Sequence, residues 1–182
     1  GSLLELDLGF LLTALVAVRV PLQCHFAIGL LDGGGIGVAG YGQHFWGLTA
    51  SDGPGWTTQR IHGIDRSFFD YVARGAPYGP DDGTVAPWAV VACLPFAPEI
   101  VLPTVQHFQD VYPQVTGEYC LRCSFNLTFP HAGDAGLGWT SPYHFGINLG
   151  PVVLMCENYR SGLLWRLMRS CPYVSTGLRR AG

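Results

Sequence analysis

Apolar positions in this chain gather in blocks of helical length and seldom alternate with polar ones. Four blocks carry helix signals. Leu3 to Val20 is the first; Glu5, Asp7 and Arg19 interrupt it and Pro21 stops it. Thr84 to Leu94 is the second, with N-cap chemistry in Asp81-Asp82-Gly83-Thr84 and with Pro87 tolerable in a first turn. Pro98 to Val111 is the third: Pro98 followed by Glu99 opens a helix well, and Pro103 either kinks it or marks its true start. Pro151 to Ser170 is the fourth. Pro151 follows Gly150 as a first helical residue, Arg166 and Arg169 sit where the helix dipole favours cations, and Pro172 ends it. Leu154, Cys156, Leu163, Leu164, Leu167 and Met168 are expected to form its buried apolar face. Strand-type alternation is scarce. Gly29 to Gly42 holds seven glycines and reads as loop. The pattern predicts a mainly α fold in which long glycine-rich connections carry the function.

The apolar block at the start does not read as a membrane span. Its uninterrupted run, Leu8 to Val18, is shorter than the roughly 20 residues a span needs. A secretory leader would open on basic residues, and this segment opens on acids. A buried helix is the expectation, with no membrane partner. Gly1-Ser2 is set aside as a cloning remnant, leaving residues 3–182 as one domain. Charged residues make up 13%, about half the roughly 25% of an average domain, while 48% are hydrophobic and 13% aromatic. That composition excludes intrinsic disorder and a coiled coil. All ten basic residues are arginines, they form no tract, and the net charge is -3. Nucleic acid is therefore not an expected partner.

Metal and redox chemistry have little support. Cys120-Leu-Arg-Cys123 is the one Cys-x-x-Cys pair among six cysteines, and a structural zinc site needs a second pair or paired histidines. Buried or incidental thiols are expected, with no cofactor and no metal. Asn126-Leu-Thr128 is a formal glycosylation sequon. Gly33-Gly34-Gly35-Ile36-Gly37 lacks the strand and helix of a dinucleotide turn, and no nucleophile elbow or phosphate loop occurs. A chain poor in charge but rich in Trp and Tyr instead suits a polar, neutral ligand such as a sugar. Sugar C–H faces lie on aromatic rings, and their hydroxyls bond to carboxylates, amides and backbone. The loop aromatics are Trp46, Trp56, Tyr78, Trp139 and Tyr143; the loop carboxylates are Asp52, Asp81, Asp82 and Glu118. Glycoside hydrolysis needs two such carboxyls, one protonated and one ionised. The alternative roles are ordinary ones: core anchors for the rings and a turn or cap for Asp81. For Glu157 the default is an ion pair with Arg160.

Three segments become specific together: Tyr41-Gly-Gln-His-Phe-Trp-Gly-Leu-Thr-Ala-Ser-Asp-Gly-Pro54, Asp81-Asp-Gly-Thr-Val-Ala-Pro87 and Gly146-Ile-Asn-Leu-Gly-Pro-Val-Val-Leu-Met-Cys-Glu-Asn-Tyr-Arg-Ser-Gly162. With Pro95-Phe-Ala-Pro-Glu99 and Phe125-Asn126 between them in order, the chain resembles the glucoamylase-like domain family over roughly Tyr41 to Tyr173. Relatives in that family include bacterial endo-β-1,2-glucanases and the glucan-processing domain of cyclic β-1,2-glucan synthases. The resemblance implies an α/α toroid of helical hairpins with a sugar cleft at one end. This chain corresponds to the C-terminal part of such a toroid.

Hydrolysis of a β-glucan, β-1,2-linked above all, is the activity the resemblance implies. The resemblance implies that the family's principal catalytic carboxylates belong to N-terminal hairpins without a counterpart here; within this chain Glu118 and Asp52 are the candidate catalytic carboxyls, Glu118 as acid or as orienter of another group. Trp46 would be a stacking surface, and Asp52 and Asp82 would accept sugar hydroxyls. Asp81, Asn126, Trp139, Asn148 and Tyr159 complete the substrate-binding set. In the family pattern acids are common at the positions of Cys123, Tyr143 and Asn148, and Gln stands where this chain has Leu149. An amide cannot serve as a general base. Two alternatives therefore stand beside hydrolysis. One is a truncated or decayed relative that only binds glycan. The other is an interaction module that self-associates through helix faces which absent hairpins would otherwise cover.

Overall fold

The structure, a computed structural model, describes residues 41–75, 79–130 and 138–181. The expected helix over Leu3–Val20, the glycine-rich run up to residue 40 and Tyr78 lie outside the described residues. Helix accounts for 44% and strand for 20% of the described chain, so the mainly α expectation holds.

Strands are nonetheless more numerous than the sequence suggests. β1 (Ala50–Ser51) pairs antiparallel with β4 (Val72–Ala73). Between them β2 (Thr57–Ile61) and β3 (Ile64–Phe68) form a hairpin closed by His62 and Gly63, at φ 51° and 83°. Two consecutive left-handed residues give the turn whose twist matches a hairpin. The strands Thr-Thr-Gln-Arg-Ile and Ile-Asp-Arg-Ser-Phe bury only Phe68, so no apolar alternation betrays them. β5 (Thr84–Val85), β8 (Phe125–Asn126) and β9 (Trp139–Thr140) make a three-stranded sheet in the order β5-β8-β9. β6 (Thr116–Gly117) and β7 (Cys120–Leu121) are a second small hairpin.

The helices correct three expectations. Thr84 and Val85 are strand, not helix, because they pair with Asn126 and Phe125. Helix α1 begins at Pro87 and runs to Ala92. α2 spans Pro98–Val111 as predicted and passes through Pro103. There the chain gives up one backbone hydrogen bond while burying Val101, Thr104 and Phe108. The expected fourth helix is two, and it starts earlier. α3 runs Gly146–Ser161, with Pro151 inside it. Gly162, at φ 67°, ends it in the left-handed conformation, its N–H donating to the Asn158 carbonyl at 2.8 Å. α4 (Leu163–Ser170) follows at once, and Pro172 opens α5 (Pro172–Ala181).

The core lies where α1 and α2 meet the β5-β8-β9 sheet. Phe125 sits at its centre, edge-on to Phe45 and Phe108 at centroid distances of 5.1 and 5.5 Å and against Tyr112 at 5.7 Å. Val85, Val90, Val101, Val115 and Leu121 fill the space around the rings. α3 packs on α1, yet its only buried residues are Asn148 and Asn158. The apolar face expected on the fourth helix is thus not core: Leu154 is 49% exposed and Leu167 56%.

Phe125→Ala removes the ring that three aromatic neighbours share. A loss of about 3–5 kcal/mol in unfolding free energy is expected, measured by urea denaturation.

Candidate functional site

The loop after β1 carries Asp52 against the end of the three-stranded sheet. Two serines that flank the sheet strands hold it. Ser141, just past β9, donates to Asp52 Oδ2 at 2.7 Å. Ser124, just before β8, donates to the Asp52 carbonyl at 2.7 Å. The Ser141 N–H to Ser124 carbonyl bond of 2.9 Å ties the two serines together. Asp52 is 8% exposed, and Oδ1 accepts no hydrogen bond among the described residues. A carboxylate fixed by one oxygen leaves the other for a ligand.

Cys123 and Asn148 complete this end of the sheet. Asn148, in the first turn of α3, donates from Nδ2 to the Cys123 sulfur at 3.2 Å. The Cys123 N–H donates to the Tyr143 carbonyl at 3.2 Å. Burial pushes the Cys123 thiol up, with the negative charge of Asp52 adding to it against hydrogen bonds from the Asp52 backbone, Ser124 and Asn148. Two of the three positions where family acids are common therefore touch, and they lie beside Asp52. Cys120, by contrast, is exposed, so the Cys-x-x-Cys pair splits into one surface and one buried thiol. Among the described residues no group of three or more His, Cys, Asp or Glu could hold a metal.

A second set of expected residues forms a buried polar knot next to the first. The Arg74 guanidinium reaches Asp82 through Nε to Oδ1 at 2.9 Å and Nη2 to Oδ2 at 3.0 Å, both side chains fully buried. The remaining guanidinium hydrogens go to the carbonyls of Ser51, Phe69 and Asp70. Asp82 also accepts the N–H groups of Phe69 and Thr84, each at 3.1 Å. Burial raises its carboxyl pKa, but the bonds from Arg74 and Thr84 and the Arg74 charge outweigh that and hold it below the usual range. Gly53 has no room for a side chain, since a Cβ would collide with Arg74 Nη2 and the Phe69 carbonyl oxygen. Asn126 donates to the Asp82 carbonyl and to Thr84 Oγ1, each at 2.9 Å, and its Oδ1 caps Thr128 and Phe129. Its amide is fully buried and spent, so the sequon around it is not an exposed acceptor. Tyr41 donates to Asp81 Oδ1 at 2.7 Å; burial and the Asp81 charge drive the phenol far above its ordinary pKa.

The other expected residues scatter. Trp46 is 5% exposed, inside the core, its indole N–H donating to Thr104 Oγ1 at 3.0 Å. That placement gives it no open stacking face. Trp139 is half-buried in β9, opposite Asn126. Glu118 is exposed at the β6–β7 turn and has no polar partner among the described residues. Tyr159 is half-exposed on α3. Sequence reasoning missed Arg74, Ser124 and Ser141, because a lone arginine and two serines in loops carry no spacing signal.

Residues 37–172 match the Glycoamylase ("Putative glucoamylase") family model, three quarters of the chain. The chain belongs to the Glycoamylase family. This Glycoamylase chain is 34% identical over 145 residues to an exo-β-1,2-glucooligosaccharide sophorohydrolase of Parabacteroides distasonis, covering 79% of this chain and 17% of the relative. Among solved structures it is similar to a β-1,2-glucanase of Parabacteroides distasonis, at TM-score 0.62 and 32% identity over 88% of this chain and 19% of that one. It is also similar to an endo-β-1,2-glucanase of Chitinophaga pinensis in complex with sophorotriose and glucose, at TM-score 0.58 and 31% identity over 79% and 29%. The chain spans less than a third of the length of each.

The knot gives a prediction with a defined pH dependence. Asp82→Asn leaves the buried guanidinium without its counter-charge and costs about 3–5 kcal/mol at neutral pH. Because the folded carboxyl is shifted down, its contribution is complete above the unfolded value of about 3.9 and fades as pH falls through the folded value. Urea titrations from pH 7 downward should show the wild-type advantage shrinking below about pH 4.

Proposed function

We propose that this Glycoamylase chain forms one wall of the sugar groove of a β-glucan-active glycoside hydrolase, with β-1,2-glucan as substrate class and its helices part of an α/α toroid. Three relatives whose names place them on β-1,2-glucans or their oligosaccharides support the substrate. Asp52 carries the site: a nearly buried carboxylate, oriented by Ser141 through one oxygen, with the other uncommitted. In this reading that free oxygen accepts a sugar hydroxyl or the proton of an attacking water. Glu118 is the second carboxyl, delivered by the exposed turn of a hairpin, where it can protonate the leaving oxygen as the groove closes. Trp139 takes the stacking role that the burial of Trp46 leaves open, while Asp81 and Tyr159 line the rim. Asp82, Asn126 and Trp46 act indirectly, by fixing the loop that presents Asp52.

The Cys123–Asn148 contact favours a second reading, glycan binding without turnover. Where the family pattern has acids, this chain has an amide bonded to a thiol that burial keeps protonated. Neither can take a proton from water at neutral pH. Self-association is the third, through the apolar side chains exposed on α3 to α5.

Reducing-sugar release from β-1,2-glucan by the longer protein containing this segment separates the readings. Asp52→Asn is expected to cut the rate by about 10²- to 10⁴-fold and Glu118→Gln by a comparable factor. Full rates in both variants would remove them from the chemistry. Sophorotriose binding by calorimetry without sugar release selects the binding module, and absence of both heat and release overturns the proposal.

A further inference from the structure

The hairpin that carries Glu118 has little of its own to hold its shape. Its ladder is two residue pairs long, Thr116 with Leu121 and Gly117 with Cys120. Cys120 stands at φ 80°, the left-handed conformation that follows a tight turn in a bulged hairpin and that glycine ordinarily takes. So short a hairpin with a residue held in that conformation keeps its geometry only when its surroundings over-determine it. Those surroundings are the segment that leads from β9 into α3. His144, half-buried just before the Phe145 N-cap of α3, donates from Nδ1 to the Leu121 carbonyl at 3.2 Å. A carbonyl only accepts, so Nδ1 carries the proton. The ring meets Tyr119 edge to face, with centroids 5.7 Å apart and planes at 89°. Its Nε2 edge fills the space beside Gly117, where a Cβ would collide with it.

We propose that His144 is a positioning residue, the pin that holds the Glu118 turn in one frame with Asp52; its consequence for catalysis rests on the hydrolase reading above. One imidazole touches Gly117, Tyr119 and Leu121, and so grips the hairpin on both sides of Glu118. Arg122 closes the same join from the hairpin side, donating from Nη1 to the Pro142 carbonyl at 3.1 Å. The run that carries His144 begins at Ser141, whose hydroxyl donates to Asp52 Oδ2 and accepts the Tyr143 N–H at 3.3 Å. Asp52 and Glu118 therefore hang from the two ends of one short run, residues 141–144. A carboxyl misplaced by about 1 Å loses much of its effect on rate, whereas the hold on a glucan is spread over many contacts. What His144 protects is thus alignment and not affinity.

Two measurements on the longer protein containing this segment test the pin, the first without any glucan. In hydrogen exchange, His144→Ala should speed the amides of residues 116–122 about fivefold or more while those of α2 keep their rates. Gly117→Ala pushes the same ring away from the hairpin side and should speed the same amides, so it decides the matter if His144→Ala fails to fold. In β-1,2-glucan hydrolysis, His144→Ala should lower kcat about 10- to 100-fold with KM within about twofold. It should lower kcat no further when Glu118→Gln is already present. His144→Asn, whose amide stands near the Nδ1 position and donates to Leu121, should recover most of the loss. Unchanged exchange at residues 116–122, or a loss that multiplies with that of Glu118→Gln, would overturn the proposal. A wild type without turnover defeats the hydrolase reading alone, and the exchange rates then decide the pin.

Discussion

The buried Arg74–Asp82 pair is the constraint from which the rest of the site hangs. A guanidinium cannot be neutralised at any working pH, so its burial demands a carboxylate and a full set of acceptors. Asp82 supplies the charge, and the carbonyls of Ser51, Phe69 and Asp70 supply the acceptors. Three loops are thereby drawn to one point: the end of β1, the segment after β3, and the turn before β5. Ser51 precedes Asp52, so the ion pair sets where the candidate carboxylate can sit. The serines of the β5-β8-β9 sheet then set which way it points. Hairpins this short could not hold such a loop by their own few ladder bonds.

That dependence explains which expectations about the site were legible. Asp52, Asp81, Asp82 and Asn126 drew attention as polar groups in turn-rich segments, and the fold does bring Asp52 and Asp82 into one neighbourhood. Their roles differ because burial differs. A carboxylate with every lone pair used, as in Asp82, holds structure; one with a bare oxygen, as in Asp52, has chemistry left. No spacing rule separates the two, since the difference lies in Arg74 and Ser141, which are 8 and 89 residues away from their partners. Trp46 misled for a related reason: an indole in a glycine-rich loop reads as a platform, yet Thr104 on α2 offers its N–H a buried acceptor and the core takes the ring.

The helices were legible where punctuation agreed with packing. Pro98 and Glu99 mark the start of α2, and the helix follows. Over Thr84–Val85 the capping pattern was real, but Asp82 caps the strand residue Thr84 instead, because the sheet gives those two residues a full set of partners. In the last quarter of the chain the helical period is correct and the inference of burial from it is not. Gly162 breaks the expected helix, and Leu154, Leu163, Leu167 and Leu178 are exposed on the three segments. The polar hairpin β2–β3 left no apolar trace at all; only the pair His62-Gly63 hinted at its turn.

The thiol and amide beside Asp52 sharpen what kind of chemistry this wall can perform. If carboxylates stood at Cys123 and Asn148, their mutual repulsion in a buried pocket would raise the pKa of at least one and provide a ready proton donor or acceptor. With a thiol and an amide there, neither position adds a charge beside Asp52, whose Oδ1 accepts no hydrogen bond among the described residues. Such an acceptor binds a sugar hydroxyl well. On the proposed hydrolase reading it is half of a catalytic pair whose second carboxyl comes from elsewhere, and the exposed β6–β7 turn carries the candidate, Glu118. On the proposed hydrolase reading, the decisive quantity is how closely that hairpin approaches Asp52 across a bound sugar: a separation near 5 Å admits a covalent route, and one of about 6.5–9.5 Å leaves room for an attacking water.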